Sequence, residues 1–186
     1  MVARVSRTVR FATALAVGGL VVVAARTPAA GQAATGAPAK VCGLLPIADI
    51  EALYGTKADA PRGTDNTALS TCSVTIANQI VTIRSSAPGT PGAPVSVQAG
   101  LAAQQAQPPG RGMTRAEAKD YGDVGCLHST MTEGPDRKPL PKPIHATSCF
   151  LVTGGYLHLT LTSDDAGLAS DEHVKGLLAK AAARRK

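Results

Sequence analysis

The sequence predicts an α+β domain in which an antiparallel sheet of about five strands is flanked by helices and held by two disulfides. Three segments alternate apolar and polar residues with the period of a half-buried strand, and others repeat apolar residues with the period of a helix. Four cysteines follow an N-terminal export signal, which favours an oxidising compartment. The order helix, hairpin, helix, three strands and a final helix is typical of this fold class.

The N-terminus has the pattern of a signal peptide. Arginines precede an apolar run at 11–25, and alanine-rich cleavage sites follow it. The run is short for a transmembrane helix, although an uncleaved anchor stopped by Arg26 is the alternative. We assign residues 1–33 to the signal, with cleavage between 25 and 34, residues 34–40 to a flexible Ala/Gly/Pro tether, and residues 41–186 to a single α+β domain.

Composition and charge exclude one class of partner. The chain has 186 residues, with 19 Lys and Arg against 13 Asp and Glu, and a formal net charge of +6. Cleavage after residue 33 removes four arginines and no acidic residue, so the remaining 153 residues carry a net charge of only +2. The chain has no Trp, three Tyr and two Phe, too few for the aromatic stacking that binds single-stranded nucleic acid. We therefore expect no nucleic-acid partner.

The first elements predicted are a helix and a hairpin. Residues 44–55 form the helix, which has a proline near its start and a glycine as its stop. Residues 71–76 alternate apolar residues with Ser and Thr, and residues 80–84 continue this pattern in a second strand. A tight turn at Asn78 and Gln79 joins the two strands.

The middle of the chain has weaker patterns. Residues 85–94 are rich in Pro and Gly, whereas residues 95–106 are rich in Ala and Gln and predict a helix despite a central glycine. A Pro-Pro-Gly break follows. Thr114 and Glu117 have the spacing of a capping box, which predicts a short helical turn through Lys119.

The last third of the chain carries the clearest strand pattern. Residues 126–131 predict a strand, and residues 133–143, with four prolines, predict a polar extended loop. Segments 146–152 and 156–162 flank a Gly-Gly pair and predict a hairpin. In its second strand three leucines face the core, and four residues face the opposite way: Tyr156, His158, Thr160 and Thr162.

A final helix follows Ser170, which has the residue type of an N-cap. Asp171 and Glu172 lie in its first turn, where carboxylates complement the helix dipole. We assign this pair, and the pair Asp164 and Asp165, to helix and turn formation rather than to acid/base chemistry. The apolar stripe of the helix comprises Val174, Leu177, Leu178 and Ala181.

Four cysteines form the predicted disulfide framework, and they permit three connectivities. We favour Cys42 with Cys72 and Cys126 with Cys149, because each pair links segments that are near in sequence and that can pack together. Each bond is worth about 2–4 kcal/mol of stability in a chain-entropy model.

Two histidines lie close to the second pair of cysteines. Cys126 precedes His128 by two positions, and His145 precedes Cys149 by four, which gives the ligand types that zinc and copper prefer. On adjacent antiparallel strands the four side chains could converge. A disulfide would consume both thiolates, and this is the interpretation that we favour. The alternative is a metal site that includes His128 and His145.

The opening of the domain resembles a known family. The segment Cys42-Gly43-Leu44-Leu45 leads into a short helix ending in Gly55, and Cys72 lies at the start of a strand. This pattern resembles that of small exported bacterial domains of unknown function, of the type found in actinobacterial lipoproteins, which open with a Cys-x-Leu-Leu segment and bond that Cys to a strand. The resemblance implies an architecture similar to PsbP-like folds and a binding or accessory module without catalytic residues.

The sequence contains no G-x-S-x-G, H-E-x-x-H, P-loop or G-x-G-x-x-G motif. We therefore expect an exported, non-catalytic binding or accessory protein of the bacterial envelope, periplasmic or extracellular, without a cofactor. Its expected partner is an envelope lipid, polymer or protein, with no membrane span after signal cleavage. A basic cluster at Arg137, Lys138 and Lys142 suits an acidic surface. The alternatives are a periplasmic metal-binding protein that uses Cys and His, and a small secreted hydrolase.

Overall fold

The computed structural model describes residues 39–185, so the predicted signal peptide and most of the tether lie outside the described residues. The described part is an α+β domain on an antiparallel sheet, as predicted. After a 3-10 turn, Lys40–Leu44, the helices are α1, Ile47–Tyr54; α2, Val97–Gln105; and α3, Asp171–Arg184. The strands are β1, Arg62–Thr64; β2, Ser70–Ile76; β3, Gln79–Ser85; β4, Glu117–Asp120; β5, Val124–Glu133; β6, Pro139–Leu151; and β7, Leu157–Ser163.

The sheet has seven strands, not about five as predicted, in the order β1-β2-β3-β7-β6-β5-β4. The two additional strands are its edges. All three residues of β1 are exposed, so β1 lacks the apolar alternation that marks a strand in a sequence. β4 consists of Glu-Ala-Lys-Asp, and the helical turn predicted from Thr114 and Glu117 is wrong, because Glu117 begins this strand opposite His128. Short or charged edge strands discourage pairing with other chains.

The hairpin of β2 and β3 turns one residue earlier than predicted. Ile76 pairs with Gln79, so Ala77 and Asn78 form the turn, with φ of 48° and 61°. Two successive residues with positive φ are typical of a type I′ turn, whose twist matches that of the flanking strands. Gln79 therefore belongs to β3.

The hairpin of β5 and β6 corrects the polar loop that we predicted at 133–143. Pairing extends to Glu133 and Pro139, with a register shift near Met131, so only residues 134–138 form the turn. β7 ends opposite His145, which leaves the first part of β6 as an edge where proline is tolerated. This distal part of the hairpin therefore projects beyond the seven-stranded region.

One face of the sheet, the inner face, carries the main core. The alternating apolar residues of β2, β3 and β7 are buried on it, including the three leucines predicted to face inward. α1 and α3 cover this face, and the four predicted stripe residues of α3 are buried. Tyr54 of α1 donates a hydrogen bond to the carbonyl of Thr162 at 2.8 Å, which ties α1 to β7. No described helix is both long enough and apolar enough to span a bilayer.

Local signals set the ends of the helices on the inner face. Pro46 immediately precedes α1 rather than filling its first position, and Gly55 ends α1 in the left-handed conformation with φ of 67°. Ser170 caps α3 as predicted, since its hydroxyl accepts a hydrogen bond from the His173 N–H at 3.4 Å.

Both disulfides have the connectivity that we favoured. Cys42–Cys72 joins the 3-10 turn to β2, and Cys126–Cys149 joins β5 to β6 at directly opposite positions. All four cysteines are buried. β1 passes directly over the first bond, and a Cβ on its Gly63 would lie 2.7 Å from the Cys42 Sγ. Only glycine therefore lets β1 approach this closely.

The opposite face, the outer face, is covered only in part, by α2. Val97 and Leu101 of this helix pack with Phe150 in a second, smaller core. The helix approaches closely because Gly100 in α2 and Gly125 in β5 both contact the Phe150 ring, where a Cβ would lie 2.6 and 2.9 Å from ring carbons. The helix predicted here is confirmed, and the packing against Phe150 explains its central glycine.

Candidate binding site on the outer face of the sheet

A row of hydroxyl side chains crosses the part of the outer face that α2 leaves open. Ser73, Thr82, Thr160 and Ser148 occupy neighbouring register positions on β2, β3, β7 and β6. Ser73 hydrogen-bonds Thr82 at 2.8 Å, and Ser148 hydrogen-bonds Thr160 at 2.8 Å. All four residues are half-buried. This part of the sheet therefore presents a polar surface rather than an apolar one.

Arg84 lies one rank further along β3, between Thr71 and His158 in the strand register. Its side chain is exposed, and no described carboxylate lies within 4 Å of it. A guanidinium offers five N–H donors and stays charged at every physiological pH. Arg84 is therefore a cation whose donors are available to a ligand.

A cluster of three rings, two of them buried and that of Tyr156 half-buried, lies beside Arg84. The ring centroid of Tyr156 is 5.8 Å from that of Phe150 and 5.7 Å from that of His158. Burial, helped by the charge of Arg84, lowers the pKa of His158 to about 4. Burial also raises the pKa of Tyr156 to about 12, against the opposing effect of Arg84. At neutral pH the imidazole is therefore uncharged and the phenol is protonated.

Two cavities open on either side of the C-terminal end of α2, and together we call them the α2 cleft. Gln104 and Gln107 line both of them. The smaller cavity, of about 210 Å³, reaches His158. The larger cavity, of about 340 Å³, lies between α2 and residues 90–94 and reaches Arg84. No described Asp or Glu lines either cavity, so the only formal charges in the α2 cleft are positive.

A buried hydroxyl without a partner belongs to Ser86, a residue that lines the larger cavity. Ser86 follows β3 two positions after Arg84 and is only 6% exposed. Its N–H donates to the carbonyl of Tyr156 at 2.9 Å, and its carbonyl accepts from the Arg185 guanidinium. Among the described residues, no hydrogen-bond partner reaches its Oγ. An unsatisfied buried hydroxyl costs about 1–3 kcal/mol, so the Ser86 Oγ is a donor without a partner behind the wall of this cavity.

The histidines predicted as metal ligands lie together on the inner face. The rings of His128 and His145 stack with centroids 5.6 Å apart and planes 25° from parallel. Cys126 and Cys149 are bonded to each other, so neither thiolate is available to a metal. Within residues 39–185 no group of three or more His, Cys, Asp or Glu side chains is placed to hold a metal ion.

Hydrogen bonding fixes the tautomer of one of these histidines. The Thr147 hydroxyl donates to the carbonyl of Ala169, so it accepts from the Nδ1–H of His128 at 2.8 Å. His128 therefore carries its lone pair on Nε2. His145 approaches Thr130 only at 3.5 Å, too far for a strong hydrogen bond.

The predicted carboxylate pairs hold local structure. Asp171 accepts from the Tyr121 hydroxyl at 2.8 Å and pairs with Lys119 at 3.1 Å, which ties β4 and its following turn to α3. Burial raises the pKa of Asp171, but the hydrogen bonds from Tyr121 and Lys119 outweigh burial and the pKa is lowered. Asp165 accepts from the Gly167 N–H at 2.7 Å, as expected of an Asp in a turn.

Sequence reasoning did not find the group formed by Arg84, Ser86 and Tyr156. The one available signal was Arg84, a charged residue at an outward position of a strand whose other outward positions are Ile80 and Thr82. Ser86 lies in a Pro- and Gly-rich stretch that has no periodicity, so its burial has no signature in the sequence.

Fold and site together define a class: a two-disulfide α+β protein with one closed sheet face and one cleft-bearing, hydroxyl-lined face. Comparison of the chain with protein-family models, curated proteins and solved structures gave no match. Any inference about function therefore depends on the residues of the outer face.

Proposed function

We propose that this protein is an exported, non-catalytic binding or accessory protein of the bacterial envelope, and that its ligand occupies the α2 cleft. The main support for this proposal is the half-covered outer face. The smaller cavity reaches Ser148 of the hydroxyl row and His158 of the ring cluster, and the larger cavity reaches Tyr156 of the same cluster. A sheet closed on both faces would leave only its perimeter for a partner. An open cleft instead favours a small molecule, or the protruding part of an envelope lipid or polymer.

The state of His158 favours binding over hydrolysis, the alternative activity. Its Nε2 lies 3.4 Å from the Thr160 hydroxyl, which is already hydrogen-bonded to Ser148 at 2.8 Å. A general base works best when its pKa is near the ambient pH, whereas burial lowers the pKa of His158 to about 4. The imidazole therefore acts as a neutral, polar wall of the cleft.

Covalent structure supports an exported location, periplasmic or extracellular. Two disulfides between buried cysteines need an oxidising compartment to form, and the arginine-rich, apolar N-terminus has the pattern of an export signal. The bond from Cys42 to Cys72 in β2 is the one implied by the resemblance to small exported bacterial domains. We retain that family and its PsbP-like architecture as part of the proposal.

Two variants of α2 test the location of the ligand. Ala102 and Ala103 are neighbouring exposed residues of α2, but only Ala103 lines the cleft. We expect Ala103→Trp to fill the larger cavity and Ala102→Trp to leave it open. Amide chemical shifts of both variants and of the wild type are measured with phosphatidylglycerol vesicles and with soluble peptidoglycan fragments.

Binding in the cleft predicts shifts that cluster on β3, β7 and the end of α2 in the wild type and in Ala102→Trp. The same shifts are weaker by at least ten-fold at equal probe concentration in Ala103→Trp. The proposal is contradicted if neither probe shifts these amides, or if both tryptophan variants respond like the wild type.

Metal binding is a second candidate function, favoured by the stacked pair of His128 and His145 and by the lone pair on the His128 Nε2. Calorimetric titration of the protein with zinc and with copper tests it, in the oxidised and in the reduced state. We expect His128→Gln to abolish uptake and His173→Gln, a histidine on the exposed side of α3, to preserve it. Absence of heat and of stoichiometric uptake in both states refutes this candidate.

A further inference from the structure

We infer that the larger cavity of the α2 cleft binds a small molecule that carries one oxyanion group, phosphate or carboxylate, on a short apolar body. This inference rests on the proposed function and specifies the chemistry of its ligand. It depends on three observations: a cation without a counter-ion, a buried hydroxyl without a partner, and a lining that combines neutral polar groups with apolar ones.

Arg84 and Ser86 form the polar end of the cavity. Arg84 belongs to β3, and Ser86 follows the last residue of that strand. Both line the cavity. An oxyanion at this end accepts charge-assisted hydrogen bonds from the guanidinium. The Ser86 Oγ has almost no accessible surface, so it donates to the oxyanion, and gains a partner, when its side chain rotates toward the cavity.

The remaining polar side chains of the cavity are neutral, and each has a hydrogen-bond donor. They are the phenol of Tyr156, the hydroxyl of Thr90 and the amides of Gln104 and Gln107, and no described carboxylate lines the cavity. A cation in this cavity would meet Arg84 without a compensating negative charge. Arg84 attracts an anion electrostatically, both during its approach and in the complex, and added salt weakens this attraction.

The apolar walls of the cavity favour a ligand with an apolar body. Pro91 and Pro94 of the 90–94 segment and Ala103 of α2 line the cavity, together with Leu69, which precedes β2. A volume of about 340 Å³ is at the lower end of the range for small-molecule pockets, which suits a compact ligand rather than a long chain.

Phenyl phosphate, benzoate and neutral benzyl alcohol are matched probes for this chemistry, because they share a ring and differ in the charged group. Amide chemical-shift titrations of the intact, oxidised protein measure their dissociation constants. We expect both anions to shift the amides of Arg84, Ser86, Tyr156 and Gln104, and we expect affinity to fall as salt is raised. Benzyl alcohol at equal concentration is expected to bind at least ten-fold more weakly.

Two pairs of variants assign the contacts. Arg84→Gln is expected to weaken phenyl phosphate binding at least ten-fold, whereas Arg137→Gln, at the tip of the β5–β6 hairpin and outside the cavity lining, leaves it unchanged. Ser86→Ala is expected to weaken binding at least three-fold without loss of thermal stability, since it removes an unsatisfied hydroxyl. Its control is Ser85→Ala, the adjacent residue, which does not line this cavity.

The outcomes separate this inference from the proposed function. If phosphatidylglycerol vesicles alone shift the cavity amides and Arg84→Gln removes that shift, the oxyanion belongs to a lipid headgroup. If phenyl phosphate shifts these amides and Arg84→Gln removes the shift, the oxyanion belongs to a free small molecule. Equal binding of benzyl alcohol and of phenyl phosphate, unchanged in Arg84→Gln, overturns the oxyanion inference while the cleft remains a binding site. Loss of response to every probe, including peptidoglycan fragments, overturns both.

Discussion

Acidification is expected to destabilise this protein through His158. The residue is buried among Phe150 and Tyr156, and the positive charge of Arg84 lies next to it in the strand register. Its pKa is lowered from 6.5 to about 4 in the folded protein. In the unfolded chain His158 is therefore protonated below about pH 6.5, whereas in the folded chain it is protonated only below about pH 4. Between these values the unfolded state binds more protons, so the free energy of unfolding falls as the pH falls.

The size of this effect follows from the same two numbers. At about 1.4 kcal/mol for each tenfold change in a protonation constant, the shift from 6.5 to about 4 gives a loss of about 3 kcal/mol on going from neutral pH to pH 4. Urea denaturation at a series of pH values between 4 and 7.5 measures the loss. The imidazole of His158 can be followed directly by its NMR titration.

A substitution isolates the contribution of His158. In a plot of the free energy of unfolding against pH, His158→Gln is expected to remove most of the slope between pH 4 and 6.5. His173 lies on the exposed side of α3, and His173→Gln is expected to leave the part of the slope that is due to His158 unchanged. An imidazole of His158 that titrates near 6.5, or a slope that survives His158→Gln, would refute this reasoning.

Three further outcomes are expected in urea denaturation. Replacing Cys42 and Cys72 with Ala opens a loop with a sequence separation of 30 and should cost about 4 kcal/mol; a loss below about 1 kcal/mol contradicts the chain-entropy account. Gly100→Ala forces a Cβ to within 2.6 Å of the Phe150 ring and should cost about 1–3 kcal/mol, and unchanged stability would show that α2 shifts freely. Asp171 has a lowered pKa, so its stabilising contribution is present above about pH 4 and is lost as the pH falls further. Asp171→Asn should lack this pH dependence, and an acid slope of the free energy of unfolding that is unchanged in the variant contradicts this role of Asp171.

The inner face could be predicted from the sequence because burial imposes a strict period. Leu157, Leu159 and Leu161 alternate with polar residues, and the stripe of α3 repeats every three to four residues, so both surfaces were assigned correctly. The edge strand β1 could not be predicted, since all three of its residues are exposed and it has no apolar period. In β4 the residues Glu-Ala-Lys-Asp even favour a helix, and pairing with β5 overrides that preference.

The candidate site could not be predicted from the sequence, because its residues come from distant segments of the chain. Arg84 is in β3, Gln104 is in α2 and Tyr156 follows β6, and only the strand order brings them together. His128 and His145 were easier, because they belong to neighbouring strands and their convergence follows from one hairpin. The pairing of Cys126 with Cys149 follows from the same hairpin register.

The two disulfides join consecutive cysteines, Cys42 to Cys72 and Cys126 to Cys149, and neither loop encloses or crosses the other. A chain that emerges from a translocation channel N-terminus first presents its cysteines in this same order. An oxidase that joins each new thiol to the one before it therefore produces the native bonds directly. Under the proposed export, maturation of this domain would need a thiol oxidant but no disulfide isomerase, so loss of the isomerase alone should leave its yield unchanged.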